Sequence, residues 1–215
     1  MLLRVALRYA ILGYLSTAPG SGYDLSQQLD GGLGWFWSAS HSQIYPELRR
    51  LESAGLIVGS PITVGEKLEK RVYSITEDGF AELIAWASQL PIYRPNRDPE
   101  RLQLIFSDVA GVDEIRRHLL AHREHFERRR DQLRSTLDRM LARRHERIER
   151  RLEGRSEAQQ QLTLLLRDLA YSGDIERAEH EIAWAQDALA HLDEYEREAA
   201  APSGPTRGAR ARRAS

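Results

Sequence analysis

Residues Ser40-His-Ser-Gln-Ile-Tyr-Pro-Glu-Leu-Arg-Arg-Leu-Glu-Ser-Ala-Gly-Leu56 predict a short amphipathic helix and decide the fold of the chain. Its large apolar residues are spaced by four and three positions and share one helical face: Ile44, Leu48 and Leu51. Ser42, Tyr45 and Arg49 fall on the opposite face, and such side chains hydrogen-bond to base edges and phosphates. A predicted β-hairpin with basic residues follows. This pattern is typical of a winged-helix DNA-binding unit.

The start of this helix has two interpretations. Ser40 with Gln43 three residues later forms a capping-box pattern, in which side chains satisfy free backbone N–H groups. Pro46 lacks an N–H and clashes with the carbonyl four residues back unless it lies near the first turn. The spacing therefore favours a cap at Ser42, which puts Pro46 at the end of the first turn. Gly55 is placed to end the helix.

Length and composition predict one or two globular, largely helical domains. The chain has 215 residues, of which 41% are hydrophobic and 29% charged, and it contains no cysteine. Disulfides and thiolate metal sites are therefore excluded, and a cytoplasmic location is expected. No apolar run approaches the ~20 residues needed to span a bilayer, and arginines interrupt the start of the chain. Neither a membrane segment nor a signal peptide is expected.

The net charge of −1 hides an uneven distribution of basic residues. The chain has two lysines, Lys67 and Lys70, and both lie near Arg71 in the predicted hairpin. Such clustering matters more for nucleic-acid binding than the total charge. The residues after Tyr195 are rich in Ala, Pro, Gly and Arg, which predicts a disordered basic tail over residues 197–215. We interpret this tail as solvated rather than as a specific contact.

The order of predicted elements over residues 1–90 is that of a winged helix-turn-helix. Helical stripes, strand-like runs and turn signals divide this part of the chain. Predicted helices cover residues 3–16, 23–29, the segment after Ser40 and 76–89. Predicted strands cover 56–64 and 70–75. Thr76 is the expected N-cap of the last helix.

The remainder is predicted to be a linker over residues 91–98 and a helical domain over residues 99–196. The segment Asp98-Pro99-Glu100 places an N-cap, a proline and an acid where helix starts favour them. Glycines then divide the domain into three helices, expected to end near Val109, to cover 113–152 and to include 171–192. The predicted fold class is mainly α with a small β-hairpin, an N-terminal winged helix-turn-helix and a C-terminal helical dimerisation arm.

Two apolar seams predict helix pairing in this helical domain. One helix repeats an apolar residue every seven positions, and the last helix steps by four and three, as in an a/d seam. A hairpin within one chain explains part of the pattern. The many charges on both helices favour pairing with a second copy, since symmetric dimers are the commonest oligomers. The predicted dimerisation residues are Leu119, Phe126, Leu133, Met140, Ile175, Ala178, Ile182, Ala185, Leu189 and Leu192.

Five segments within residues 7–79 together resemble the PadR family of bacterial transcriptional regulators. They are Leu7-Arg-Tyr-Ala-Ile-Leu-Gly-Tyr-Leu15, Gly22-Tyr-Asp-Leu25, His41-Ser-Gln-Ile-Tyr-Pro-Glu-Leu48, Leu51-Glu-Ser-Ala-Gly-Leu56 and Lys70-Arg-Val-Tyr-Ser-Ile-Thr-Glu-Asp-Gly79. Residues 168–192 are similar to the helical C-terminal domain of the longer, virulence-activator-like members. The resemblance implies a homodimeric transcription factor, usually a repressor, that releases its operator when a small molecule or stress signal arrives.

Contacts to double-stranded DNA are predicted in the recognition helix and the wing. Polar side chains of the helix can reach base edges, and the basic side chains of the hairpin can meet phosphates. Tyr45 also fits the edge of the core, because tyrosine is amphipathic. The predicted DNA-binding residues are Ser40, His41, Ser42, Gln43, Tyr45, Arg49, Lys67, Lys70 and Arg71.

The aromatic cluster Trp35, Phe36 and Trp37 has two interpretations. It can pack the winged helix against the helical arm, as aromatic clusters mostly fill cores. Alternatively, Trp35 and Trp37 line a pocket with Trp184 for an unknown apolar small-molecule effector.

Catalysis and metal binding are not expected from the sequence. His118, His122 and His125 lie on one predicted helix, and the first two could hold one metal at their i, i+4 spacing. Leu119, however, stands where a zinc protease has glutamate, and a fourth ligand is missing. No cofactor is expected either. The alternative function is a helical interaction protein whose winged helix binds protein, which would expose an apolar patch on the wing.

Overall fold

The computed structural model describes residues 2–30, 41–64, 68–93, 97–143 and 145–201. Within these residues the protein is mainly α-helical with a small antiparallel sheet. The elements in chain order are α1 (Leu2–Leu15), β1 (Gly20–Ser21), α2 (Gly22–Asp30), α3 (His41–Ser53), β2 (Ile57–Val64), β3 (Leu68–Ile75), α4 (Glu77–Ala87), α5 (Pro99–Ile105), a 3₁₀ turn (Ser107–Val109), α6 (Val112–Leu141), α7 (Glu146–Leu152) and α8 (Glu157–Ala200).

Helices α1 to α4 and the β2–β3 hairpin form a winged helix in the predicted order. β2 and β3 pair antiparallel, with Ile57 opposite Ile75 and Val64 opposite Leu68. The sequence analysis missed β1, which pairs with β3 and gives the sheet the order β1–β3–β2. Two residues carry too little periodicity to predict a strand.

The apolar face of α3 closes the core of the winged helix. Ile44, Leu48 and Leu51 are completely buried, as their spacing predicted. The residues around them come from the two preceding helices and the sheet: Leu7, Ile11, Leu12, Tyr14, Leu15, Leu25, Leu29, Ile57 and Tyr73. Full burial of one such aliphatic side chain contributes about 1.5–3 kcal/mol. This burial fixes which face of α3 points outward.

Two predicted helix starts are confirmed by hydrogen bonds. Thr76 Oγ1 accepts a 3.0 Å bond from the Gly79 N–H at the start of α4. Asp98 Oδ1 accepts a 2.9 Å bond from the Arg101 N–H at the start of α5. Gly79 also permits a close approach of backbones, because a Cβ there would lie 2.0 Å from the Leu56 carbonyl oxygen.

The predicted cap of α3 at Ser42 is wrong. α3 begins at His41, so Ser42 lies inside the helix and Pro46 lies in its second turn. Proline lacks a backbone N–H and therefore donates no hydrogen bond to the carbonyl of the residue four positions earlier in the helix. The Ser42 carbonyl therefore receives no helical hydrogen bond from position 46, and Ser42 itself is exposed.

Three boundaries in the helical part also differ from the prediction. α5 stops at Ile105 rather than near Val109, and a 3₁₀ turn follows. The single helix predicted over 113–152 stops at Leu141, because Arg143 adopts a left-handed φ of 54°. α8 continues to Ala200, so the first residues of the predicted tail are helical. Residues 202–215 lie outside the described part.

The chain divides into two compact units. Unit 1 comprises residues 1–95 and 133–171, and unit 2 comprises residues 96–132 and 172–215. Unit 1 therefore holds the winged helix and α7, whereas unit 2 holds α5, and α6 and α8 contribute residues to both. The domain boundaries given by the sequence stay a prediction about which segments fold independently.

The apolar seam predicted to meet a second copy is packed within the single chain. In unit 2, the antiparallel α6 and α8 are joined by ion pairs, Arg116 to Asp193 at 2.6 Å and Arg129 to Asp174 at 2.9 Å. Eight of the ten predicted residues are at most 9% exposed: Leu119, Leu133, Met140, Ile175, Ala178, Ile182, Ala185 and Leu189. Phe126 and Leu192 are half-buried. These side chains have little surface left for a partner, so the chain's own helices account for the seam.

Candidate functional site

The outward face of α3 presents the predicted recognition residues. Its exposed polar side chains are Ser42, Gln43 and Arg49. His41 lies in the first turn of the helix, whereas Ser40 lies outside the described residues. Because the opposite face is fixed in the core, this polar surface has a defined orientation relative to the sheet of the winged helix.

Tyr45 lies at the edge of the core and also reaches the surface. A Cβ at Gly22 would lie 2.6 Å from Tyr45 Cε1, so the ring packs against the start of α2. Even so, 43% of Tyr45 remains exposed. A side chain at position 22 would displace the ring, which explains why glycine is needed where α2 meets α3.

Lys70 of the wing is held by an acid from α2. Its ammonium lies 3.0 Å from Asp24 Oδ2, and Ser21 donates to the same carboxylate through its N–H and its hydroxyl. Burial alone would raise the pKa of Asp24, but these bonds from Ser21 and Lys70 hold it below its ordinary value. Lys70 is therefore a neutralised cation on the wing strand β3.

Arg71 is paired in the same way with an acid from α3. Arg71 Nη2 donates to Glu52 Oε1 at 2.6 Å, and the Gly59 N–H donates to that oxygen at 2.9 Å. The bond from Arg71 lowers the pKa of Glu52, and the same bond raises the pKa of Arg71. A Cβ at Gly59 would lie 2.5 Å from Arg71 Nε, so glycine leaves the space in which this pair forms.

Glu47 is a structural residue that the sequence analysis did not identify. It is 3% exposed although it lies in the recognition helix. It pairs with Arg50 at 3.0 Å and with Arg8 of α1 at 3.7 Å. A buried carboxylate needs such partners, and the pair with Arg8 ties α3 to α1. Since Arg8 is distant in sequence, no local pattern could have found this contact.

Unit 2 contains a cavity of about 500 Å³, within the usual range of about 300–1,000 Å³ for ligand pockets. Aromatic and apolar groups line it beside charged groups, among them Leu104, Phe126, Trp184, Arg101, His122 and Glu181. Trp184 is the one residue of the predicted pocket that the structure describes, because Trp35 and Trp37 lie outside the described residues. Lys67 also lies outside them.

Glu181 organises the polar side of this cavity. It accepts a 2.8 Å bond from Arg101 Nη2 and lies 3.1 Å from His122 Nε2. Burial alone would raise the pKa of Glu181, but the bonds from Arg101 and His122 hold it below its ordinary value. The Arg101 guanidinium also lies 4.1 Å from the centre of the Trp184 ring. The wall therefore combines a fixed carboxylate, a fixed guanidinium and an aromatic face.

The three histidines predicted to lie on a solvated helix face are not equivalent. His118 and His125 are exposed, whereas His122 is half-buried beside Glu181 and contacts the edge of Trp184. Within the described ranges, no group of three or more His, Asp or Glu side chains is arranged to hold a metal ion. In the same residues, no helix is long and apolar enough to cross a membrane.

The element order and the sheet define the protein as a winged-helix protein. Residues 11–85 of the chain match the model of the PadR-like family of transcriptional regulators. The family's description is that of regulators and not of enzymes.

Three known proteins and complexes are similar to this chain. The negative transcriptional regulator PadR of Bacillus subtilis is 49% identical over 80 residues, which cover 37% of this chain and 44% of that protein. Bacillus subtilis PadR in complex with operator DNA has a TM-score of 0.70 at 29% identity, covering 87% of this chain and 97% of that one. The complex of Bacillus subtilis PadR with p-coumaric acid has a TM-score of 0.64 at 28% identity, covering 89% of this chain and 97% of that one. The sequence matches span about half the length of the curated relatives.

Proposed function

We propose that the protein is a homodimeric, ligand-responsive transcriptional repressor that binds an inverted-repeat operator. The observation that carries this proposal is the exposed polar face of α3, fixed by the complete burial of its apolar face. The similarity to a PadR bound to operator DNA supports it. Such a regulator would act on the chromosome in the cytoplasm. In the described part of the wing, Lys70 and Arg71 are each paired with a carboxylate, which a DNA phosphate would have to displace.

Base recognition is assigned to Ser42, Gln43, Tyr45 and Arg49, with phosphate contacts from the wing. The test begins with selection of bound fragments from genomic DNA and then measures anisotropy on operator and random duplexes. Gln43→Ala is expected to relax discrimination at one symmetric pair of positions by about 1–3 kcal/mol. Gln161→Ala, an exposed glutamine of α8, is the matched control. Equal losses on operator and random DNA would make Gln43 a structural residue instead.

The dimer interface is assigned to an exposed apolar stripe at the start of α8. Leu162, Leu165, Leu166 and Leu169 share one helical face and are each 51–61% exposed. Contiguous apolar surface of this kind marks interaction sites, and two recognition helices are needed to read an inverted repeat. A second copy of the chain is therefore the occupant we assign.

Light scattering on charge-substituted variants tests the dimer. Leu165→Asp with Leu169→Asp should give a monomer that loses operator affinity, because burying two carboxylates costs more than dissociation. Leu90→Asp is the control, since Leu90 is 90% exposed outside the stripe. A double variant that remains dimeric would exclude this interface and leave the DNA-binding assignment untouched.

The effector is assigned to the cavity in unit 2, and p-coumaric acid, the ligand of the similar PadR complex, is the probe. The cavity offers an aromatic face on Trp184, which suits the ring of an aromatic acid. Calorimetry should detect binding, and the ligand should lower operator affinity. Trp184→Leu should remove both effects, whereas Trp86→Leu, on α4, should keep them. Binding that survives Trp184→Leu would refute the assignment.

A further inference from the structure

A second, smaller cavity lies in unit 1 and is lined by three arginines. Its volume is about 160 Å³, and its wall includes Arg151, Arg155, Arg167, Gln159 and Thr163. At about 30 Å³ per water molecule, it has room for about five waters. It is too small for the ligands of ordinary organic pockets, which occupy about 300–1,000 Å³.

Arg151, Arg155 and Arg167 define this arginine pocket, and among the described residues no carboxylate lines it. Arg151 Nη1 donates to two neutral hydroxyl groups, Thr17 Oγ1 at 2.8 Å and Ser16 Oγ at 3.3 Å. Among the described residues, the guanidinium groups of Arg155 and Arg167 make no hydrogen bond or ion pair. Three positive charges therefore converge on one cavity without a counter-charge.

Burial makes this convergence unfavourable in the empty chain. Arg151 and Arg167 are half-buried. Burial, and then the like charges of Arg167 and Arg155, lower the pKa of Arg151. Burial also lowers the pKa of Arg167. Arginines that are removed from water are normally paired with an anion. Among the described residues, the pocket provides no such anion.

We propose that the arginine pocket is a binding site for a small oxyanion, either phosphate or the phosphate or carboxylate group of a small metabolite. Guanidinium groups bind such oxyanions through paired, charge-assisted hydrogen bonds. The volume fits a compact group with a short substituent.

Calorimetry with inorganic phosphate on the full chain tests the site, with chloride at equal ionic strength as the reference. Phosphate should bind saturably with one site per chain and should raise the unfolding temperature, whereas chloride should not. Arg155→Met and Arg167→Met should each weaken phosphate binding at least tenfold. Arg197→Met is the matched control on α8, because Arg197 is 73% exposed and distant in sequence from the pocket.

The alternative is that the arginines form an ion pair with a carboxylate of a second copy of the chain. The same variants distinguish a free oxyanion from such a carboxylate. In that case phosphate would not bind, and Arg167→Met would shift the monomer–dimer equilibrium measured by sedimentation. That result, or equal phosphate binding by Arg167→Met and Arg197→Met, would overturn the proposal. Since Arg155 is exposed, its variant should fold even if a change at Arg167 does not.

Discussion

Two groups of arginines, one in each unit, have opposite surroundings. In unit 2, Arg101, Arg116 and Arg129 each reach across to a carboxylate on α8, at distances of 2.5–2.9 Å. In unit 1, the three members of the arginine pocket have no carboxylate in its wall. A paired arginine fixes one helix against another, whereas an unpaired and half-buried one keeps its charge for a partner outside the chain. The difference separates structural arginines from those of a binding site.

The largest effect is expected at Glu181, where two donors share one acceptor. Glu181→Ala removes one of the two carboxylates that pair with Arg101, leaving Asp98, and removes the carboxylate beside His122. We expect the free energy of unfolding to fall by about 1–3 kcal/mol, the cost of leaving a buried polar group unsatisfied. Urea denaturation measures it, and Glu176→Ala, an exposed acid of α8, is the control. Equal losses in both variants would show that the pairing is not structural.

A matched pair of arginine substitutions sharpens the comparison. Arg129→Met removes the 2.9 Å partner of Asp174, which is 8% exposed and which, among the described residues, then keeps Arg177 at 3.4 Å as its ion-pair partner. A loss of about 1–2 kcal/mol is expected. In anion-free buffer, Arg167→Met should stay within about 0.5 kcal/mol of the parent, the usual range for substitutions that break no contact. Similar losses for both would erase the distinction between the two groups.

Acidic pH should lower the stability of the fold by protonating the carboxylates that pair with the unit 2 arginines. The pKa values of Glu181 and Asp98 are below their ordinary values in the folded chain. Their contribution to stability is therefore complete above the ordinary value of 4.5 for Glu and is lost as the pH falls through the lower folded values. Thermal unfolding from pH 6 to pH 3 should show this loss, and Glu181→Gln should reduce it. A pH profile unchanged by the substitution would contradict the pairing.

The smallest effect is expected in the wing, where Glu52 and a DNA phosphate would compete for the Arg71 guanidinium. Glu52→Gln removes the charge that holds Arg71 but keeps an acceptor for the Gly59 N–H. The freed guanidinium should make the log–log salt dependence of DNA binding steeper by about 0.9 for each phosphate it newly contacts. Glu77→Gln, an exposed acid of α4, should leave the slope unchanged. An unchanged slope in Glu52→Gln would place Arg71 outside the DNA contact.

Local patterns predicted the winged helix well because its signals are short-range. The spacing of Ile44, Leu48 and Leu51 anticipated their complete burial, and Thr76 and Asp98 were identified as caps from their immediate neighbours. The family resemblance of residues 7–79 agrees with the segment that the family model matches.

Long-range pairing could not be predicted in the same way. The meeting of Arg101 with Glu181 depends on how α5 and α8 pack within unit 2, and nothing near either residue encodes it. The a/d seam was assigned to a second chain because periodicity identifies an apolar face but does not identify what covers it. The break at Arg143 was missed because its surrounding residues are good helix formers and the left-handed φ is not visible in composition.

Arg151 also has a consequence for thermodynamic linkage. Its guanidinium donates to Ser16 and Thr17, which follow α1 and lead to β1, and β1 is hydrogen-bonded to the wing strand β3. An oxyanion that draws this guanidinium away competes with the hydroxyls that hold the turn. If its occupancy changes the affinity for an operator by some factor, the operator must change the affinity for the oxyanion by the same factor. Bound DNA would then set how tightly each chain retains the anion.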